Sequence, residues 1–182
     1  ETIGDMMGYK GNERYYYGPH LHEYLHEVRT KAFDLHGAFS VGETPGVGMK
    51  MAQLLTGEER KELDMVFSFH HLKVDYKNKM KWELQEPDFA ELKKLLSDWQ
   101  VGMQEKDAWN ALFWNCHDQP RSVSRFGNDK KYRKESAKML AAALHMMRGT
   151  PYIYQGEEFG MTNAYFTDIR EYADVESTNI YE

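Results

Sequence analysis

Four short apolar runs, separated by stretches long enough to hold helices, constrain this chain more than any other feature. They fall near residues 38–43, 64–69, 109–115 and 151–155. The first, Ala38-Phe39-Ser40-Val41, stops at Gly42-Glu43, and the last is Pro151-Tyr152-Ile153-Tyr154. No Asn-Gly hairpin joins any two of them, so the strands need helical crossovers and the sheet is expected to be parallel. Gly18-Pro19 opens a helical stretch in which Leu21, Tyr24, Leu25, Val28 and Ala32 share a face, and His36-Gly37 closes it. Helical patterns also cover Met49 to Lys61, the segment from Asp88 through Trp99, and Lys131 to Arg148 with Gly149 as its cap. Lys77 to Lys81 predicts an exposed excursion, and the sequence beyond Gly160 is expected to be irregular. The result is an α/β fold, compatible with an open sheet or a closed barrel.

Composition narrows the class. A length of 182 residues corresponds to one domain with an adequate core. With 23 basic and 29 acidic residues the net charge is −6, which disfavours nucleic-acid and polyanionic membrane partners. A single cysteine, Cys116, cannot form an intrachain disulfide. No apolar run approaches the ~18 residues of a membrane span, and no charged-then-apolar leader opens the chain, so a soluble cytoplasmic protein is expected. The chain starts at Glu1 rather than methionine, which suggests trimming.

In parallel α/β folds the chemistry gathers at the carboxyl ends of the strands. Here those ends supply Glu43, His117-Asp118, Gln155 and Glu157-Glu158. Paired carboxylates from different strand ends suit glycoside cleavage, in which one protonates the leaving oxygen and another stabilises or attacks the cationic centre. The alternative is a helix cap at Glu43 and a loop ion pair at Asp118. His22-Glu23-Tyr24-Leu25-His26 matches H-E-x-x-H, a zinc metallopeptidase signature, with Glu43 as a conceivable third ligand. Helix geometry opposes it, since the apolar face centres on Leu21, Leu25 and Val28 while His22 and His26 point away. Gly46-Val47-Gly48 lacks a third glycine and indicates no dinucleotide site. His70-His71 reads as packing, as do Trp109 and Trp114. Cys116 and His117, adjacent on a strand, should point to opposite faces and not pair.

Three ordered segments carry a resemblance. Val41-Gly42-Glu43-Thr44, Trp114-Asn115-Cys116-His117-Asp118-Gln119-Pro120-Arg121 and Gly149-Thr150-Pro151-Tyr152-Ile153-Tyr154-Gln155-Gly156-Glu157-Glu158 resemble glycoside hydrolase family 13, the alpha-amylase family. Within it they look like the oligo-1,6-glucosidase and trehalose-6-phosphate hydrolase branch. The resemblance implies a (β/α)8 TIM barrel, of which residues 1–182 form the C-terminal half, helix 4 to strand 8. It implies a retaining α-glucosidase of the oligo-1,6-glucosidase type, acting on short oligosaccharides without cofactor or metal. Glu43 matches the general acid/base, Asp118 the transition-state-stabilising aspartate, and His117 the histidine that grips sugar hydroxyls. Arg121 belongs to the same motif as a substrate contact or loop ion pair. Catalysis would need Glu43 protonated, in a desolvated or anion-flanked position, and Asp118 ionised.

Two departures accompany the resemblance. Cys116 stands where the family usually has a second asparagine. Nothing matches the Gly-x-Arg-x-Asp stretch that carries the nucleophile, since Asp5 and Asp34 lie in the wrong context. The first-strand motifs, the calcium-loop region and everything beyond strand 8 are missing too. The expectation is a chain without glucosidase activity of its own, whose open sheet edges favour self-association. Trehalose-6-phosphate hydrolase is the alternative, with Lys73 or the Lys77 to Lys81 cluster as phosphate readers. A catalytically silent sugar-binding or assembly half is another.

Overall fold

A computed structural model of the chain describes residues 17–181. Its frame is a parallel four-stranded sheet in the order β1-β2-β3-β4, comprising β1 (Val41–Glu43), β2 (Met65–Phe67), β3 (Asn110–Leu112) and β4 (Thr150–Pro151). Glu43 sits level with Phe67, Phe67 with Ala111, and Ala111 with Thr150. The paired strands are shorter than the apolar runs that predict them. Beyond the ladder, Phe69, Phe113 and Trp114 go into core packing, and Tyr152 packs against them while its amide still donates to the Leu112 carbonyl (2.7 Å).

The crossovers are helical, as the missing hairpin signals require. Before β1 comes α1 (Leu21–Val28), which continues through a π turn and a 3-10 turn to Gly37, whose φ of 59° ends it. α2 (Met49–Thr56) buries Ala52, Leu55 and Thr56. α3 (Phe89–Gln104) starts where the Asp88 carboxylate accepts from the Glu91 amide (2.9 Å), satisfying a first-turn donor, and buries Leu92, Trp99 and Met103. α4 (Ser122–Phe126) is too short to show periodicity in the sequence, yet it buries Ser122, Val123 and Phe126. α5 (Arg133–His145) turns Ser136, Leu140 and Leu144 inward.

The stretch beyond Gly160 is more ordered than the sequence suggests. A capping box between Asp168 and Glu171 closes a 3-10 turn over Ile169–Glu171, and α6 (Val175–Tyr181) follows. No residue of α6 is buried. Lys81 Nζ reaches Glu176 at 2.5 Å, tying α6 to the lysine-rich excursion.

Two apolar clusters flank the sheet. One joins Phe69, Leu72, Phe113, Trp114, Phe126, Leu140 and Leu144 around β3 and β4. The other joins Val47, Leu55, Val66, Trp99 and Met103 near β1 and β2, with Leu21 and Leu25 of α1 packed against it. Between α1, β1 and α2 lies a cavity of about 180 Å³, lined by Leu21, Leu25, Met51, Leu55 and Leu63 and touched by Glu43 at its rim. Among the described residues no helix is long and apolar enough to cross a membrane.

Candidate active site

All four strands run the same way, so the segments after them emerge at one edge of the sheet. Glu43 is the last residue of β1 and is exposed. The next side chain anchors it, with Thr44 Oγ1 donating to the Phe67 carbonyl (2.7 Å). The turn at Asn115 to Asp118 follows β3, two strand spacings or about 10 Å across the sheet from β1. The loop Gln155 to Glu158 follows β4. The sheet therefore brings Glu43, His117 and Asp118 to one rim, as their positions at strand ends predict. Glu43 touches the apolar cavity between α1 and α2 but is itself exposed, not desolvated as catalysis would require.

The turn after β3 is braced from below. Asn115 is buried, and its amide donates to Glu157 Oε2 (2.9 Å) and Ser122 Oγ (3.2 Å). Glu157 also accepts from the Tyr154 amide (3.3 Å), and burial raises its carboxyl above the usual range. Arg121 stacks on the Tyr154 ring at 4.7 Å, and its Nη1 donates to the Gln155 carbonyl (2.5 Å), so it couples the loops after β3 and β4. These contacts join it to a carbonyl and a ring rather than to a carboxylate. Above this base, His117 Nε2 lies 3.3 Å from Asp118 Oδ2, with both side chains exposed.

Cys116 corrects one expectation. Alternation of faces holds for extended backbone, but β3 ends at Leu112 and residues 117–118 form a turn. The turn gathers ligand atoms of Cys116, His117 and Asp118 within 4.8 Å of one another. Burial raises the thiol, and the charges of Asp118 and Glu43 push it the same way, so it is a poor nucleophile.

The H-E-x-x-H segment is used differently. His22 Nδ1 meets the buried Glu62 carboxylate at 2.6 Å, and its Nε2 meets the Tyr17 hydroxyl. His26 Nδ1 lies 3.0 Å from the Arg60 carbonyl. The two rings thus pin α1 to the segment before β2 through separate partners. His71 is buried and donates from Nε2 to the Phe113 carbonyl (2.8 Å), while His70 packs on Trp99. Trp114 is buried and donates to Leu140 O (2.8 Å). Trp109 precedes β3, and its Nε1 bonds Thr150 Oγ1 (2.8 Å), at the edge opposite Glu43. Asp34 pairs with Arg29 (2.5 Å), and Asp5 lies outside the described residues.

The family described as "Alpha amylase, catalytic domain" matches residues 2–180. The chain belongs to the alpha-amylase family. The trehalose-6-phosphate hydrolase of Bacillus subtilis (strain 168) is 57% identical over 174 residues, covering 94% of this chain and 31% of the relative. The oligo-1,6-glucosidase of Bacillus cereus is 52% identical over 172 residues, with the same coverage of 94% and 31%. The crystal structure of Bacillus licheniformis trehalose-6-phosphate hydrolase matches at a TM-score of 0.90 and 55% identity, over 94% of this chain and 31% of that one. The chain thus spans about a third of the length of the relatives it matches. Its parallel strands and helical crossovers form part of the family's TIM barrel.

One feature of this alpha-amylase family chain escaped the sequence. Arg125 of α4 forks onto Asp75 at 2.7 and 2.6 Å, and also donates to Gln119 Oε1 (2.9 Å) and the Leu72 carbonyl. That buried pair holds the excursion after β2 against the loop after β3. Lys73 is half-buried, and burial alone lowers its ammonium below the ordinary range. The flanking Lys77 and Lys79 are exposed.

Proposed function

We propose that this chain, residues 1–182, supplies the strand 5 to strand 8 part of the catalytic barrel of a retaining α-glucosidase for short oligosaccharides. In this reading Glu43 protonates the glycosidic oxygen and later takes a proton from water. Asp118 stabilises the oxocarbenium-like centre, with His117 holding sugar hydroxyls beside it. Arg121 positions the turn that carries them. The observation that carries the reading is the shared carboxyl edge, at which Glu43 and the His117-Asp118 turn follow strands separated by β2. The nucleophile is not supplied by any matching segment, so the chain alone is inert. No cofactor is needed, and the setting is cytoplasmic, without nucleic acid or membrane as partner. Among the described residues β1 has no partner strand on its outer side, and that edge with the apolar cavity beside it favours self-association in isolation.

A second reading concerns the sugar. Lys73, desolvated and following β2, would gain a counter-charge from a substrate phosphate, which favours trehalose 6-phosphate over isomaltose. One experiment tests both readings. The chain is exchanged for the corresponding third of the Bacillus subtilis relative, and the chimera is assayed on isomaltose and trehalose 6-phosphate. Turnover that falls roughly 10²–10⁴-fold with Glu43→Gln is expected. A folded chimera without turnover would leave the silent sugar-binding half. Hydrolysis by the chain alone, lost in Glu43→Gln, would overturn the claim that it is inert.

A further inference from the structure

We propose that Cys116, His117 and Asp118 form a binding site for a thiophilic divalent cation of the zinc–cadmium class. Among the described residues this is the one place where three such side chains converge, with ligand atoms within 4.8 Å of one another. The His117 Nε2 to Asp118 Oδ2 distance, 3.3 Å, is already that of a tetrahedral edge, since bonds of about 2.0–2.1 Å subtend an edge of about 3.4 Å. The sulfur is turned toward the same turn, because the Asp118 amide donates to Cys116 Sγ (3.4 Å). Closing the third vertex needs a shift of about 1 Å, within reach of side chains that are exposed at His117 and Asp118.

The donor set decides the class of ion. One sulfur, one imidazole nitrogen and one carboxylate oxygen match zinc and its heavier congener, whereas magnesium and calcium want oxygen throughout. No cation competes nearby from Arg121, whose guanidinium is drawn away to Gln155 and Tyr154. His22 and His26 make a useful contrast, since each is already engaged by a different partner. On binding, the Cys116 S–H bond breaks, a sulfur–metal bond forms and the proton leaves to solvent. His117 gives the Nε2 lone pair and Asp118 a carboxylate oxygen. No electron is transferred. A bound ion would also deny His117 and Asp118 to a sugar. That consequence rests on the glucosidase reading, and the binding does not.

Because Cys116 is the only cysteine, a sulfur-to-metal charge-transfer band reports this site and no other. The purified chain is titrated with cadmium chloride and followed by ultraviolet absorption. The expected result is a band that saturates at one ion per chain and is absent in Cys116→Ser. His117→Gln and Asp118→Asn should keep the band while weakening binding roughly tenfold or more each. No band in the wild-type chain with excess cadmium would overturn the site. So would titration midpoints unchanged in both His117→Gln and Asp118→Asn, which would leave a thiol binding alone. These two variants keep the test decisive even if Cys116→Ser fails to fold.

Discussion

The two sides of the sheet are built to different standards. Around β3 and β4, aromatic rings interlock: Phe113 meets Phe67 at 5.0 Å, Phe69 at 5.1 Å and His71 at 5.4 Å, and Trp114 meets Phe126 at 5.8 Å. A buried ion pair and an amide–carboxylate bond then clamp the loops above them. Around β1 the packing is mainly aliphatic with Trp99 as its one large ring, α1 has no buried residue, and a cavity remains beside β1, whose outer edge has no partner strand among the described residues. The turn with His117 and Asp118 therefore rests on a finished foundation. Glu43 rests on one that a neighbouring strand would complete.

The sharpest way to break this contrast is to remove one partner of the Arg125–Asp75 pair. Their side chains are 5% and 8% exposed, so Arg125→Ala leaves a carboxylate buried without its counter-charge. A loss of about 3–5 kcal/mol is expected in urea unfolding. The double change Arg125→Met with Asp75→Leu should recover much of it, because no charge is then stranded. A single variant that costs under about 1 kcal/mol would mean water reaches the pair, and the foundation is looser than described.

The next test compares two leucines. Leu144 is 1% exposed inside the aromatic cluster, and Leu144→Ala should cost about 2–5 kcal/mol because its neighbours cannot collapse into the void. Leu25 borders an existing cavity, so Leu25→Ala removes fewer contacts and should cost about 1 kcal/mol. Equal losses would show that the β1 side is as tightly packed as the other, and would remove the argument for an open edge there.

Much of this contrast follows from what a sequence can encode locally. Strand–helix alternation was legible because a parallel sheet is covered on both faces, which leaves continuous apolar runs such as Met65-Val66-Phe67. The ends of those runs pointed to Glu43 and Asp118. The Arg125–Asp75 pair was not legible, since the two residues lie 50 positions apart and each reads singly as an ordinary surface charge. The convergence of Cys116 with His117 was missed for another reason. It depends on where β3 stops, and Phe113 and Trp114 are as apolar as the strand they extend. The bracing by Asn115 and Glu157 joins two loops, and neither loop has a periodicity to betray it.

The last of these effects is read by pH. His71 belongs to the finished side, buried against Phe113 and Trp114, with Nε2–H donating to the Phe113 carbonyl. Burial lowers it from its ordinary 6.5 to about 4. The nearby Arg125 and His70 add to that shift, and the carbonyl opposes it. The unfolded chain therefore binds the proton more readily than the folded one. Stability is full above about pH 6.5 and falls as the pH drops toward 4, with a loss of about 2 kcal/mol by pH 5. His71→Gln keeps a donor for Phe113 and removes the titration, so its unfolding free energy should fall less between pH 7 and 5 than that of the parent chain. Denaturant melts at the two pH values measure the difference. If both chains lose the same stability, His71 is reachable by water, and the side of the sheet that carries Asp118 is no better sealed than the side that carries Glu43.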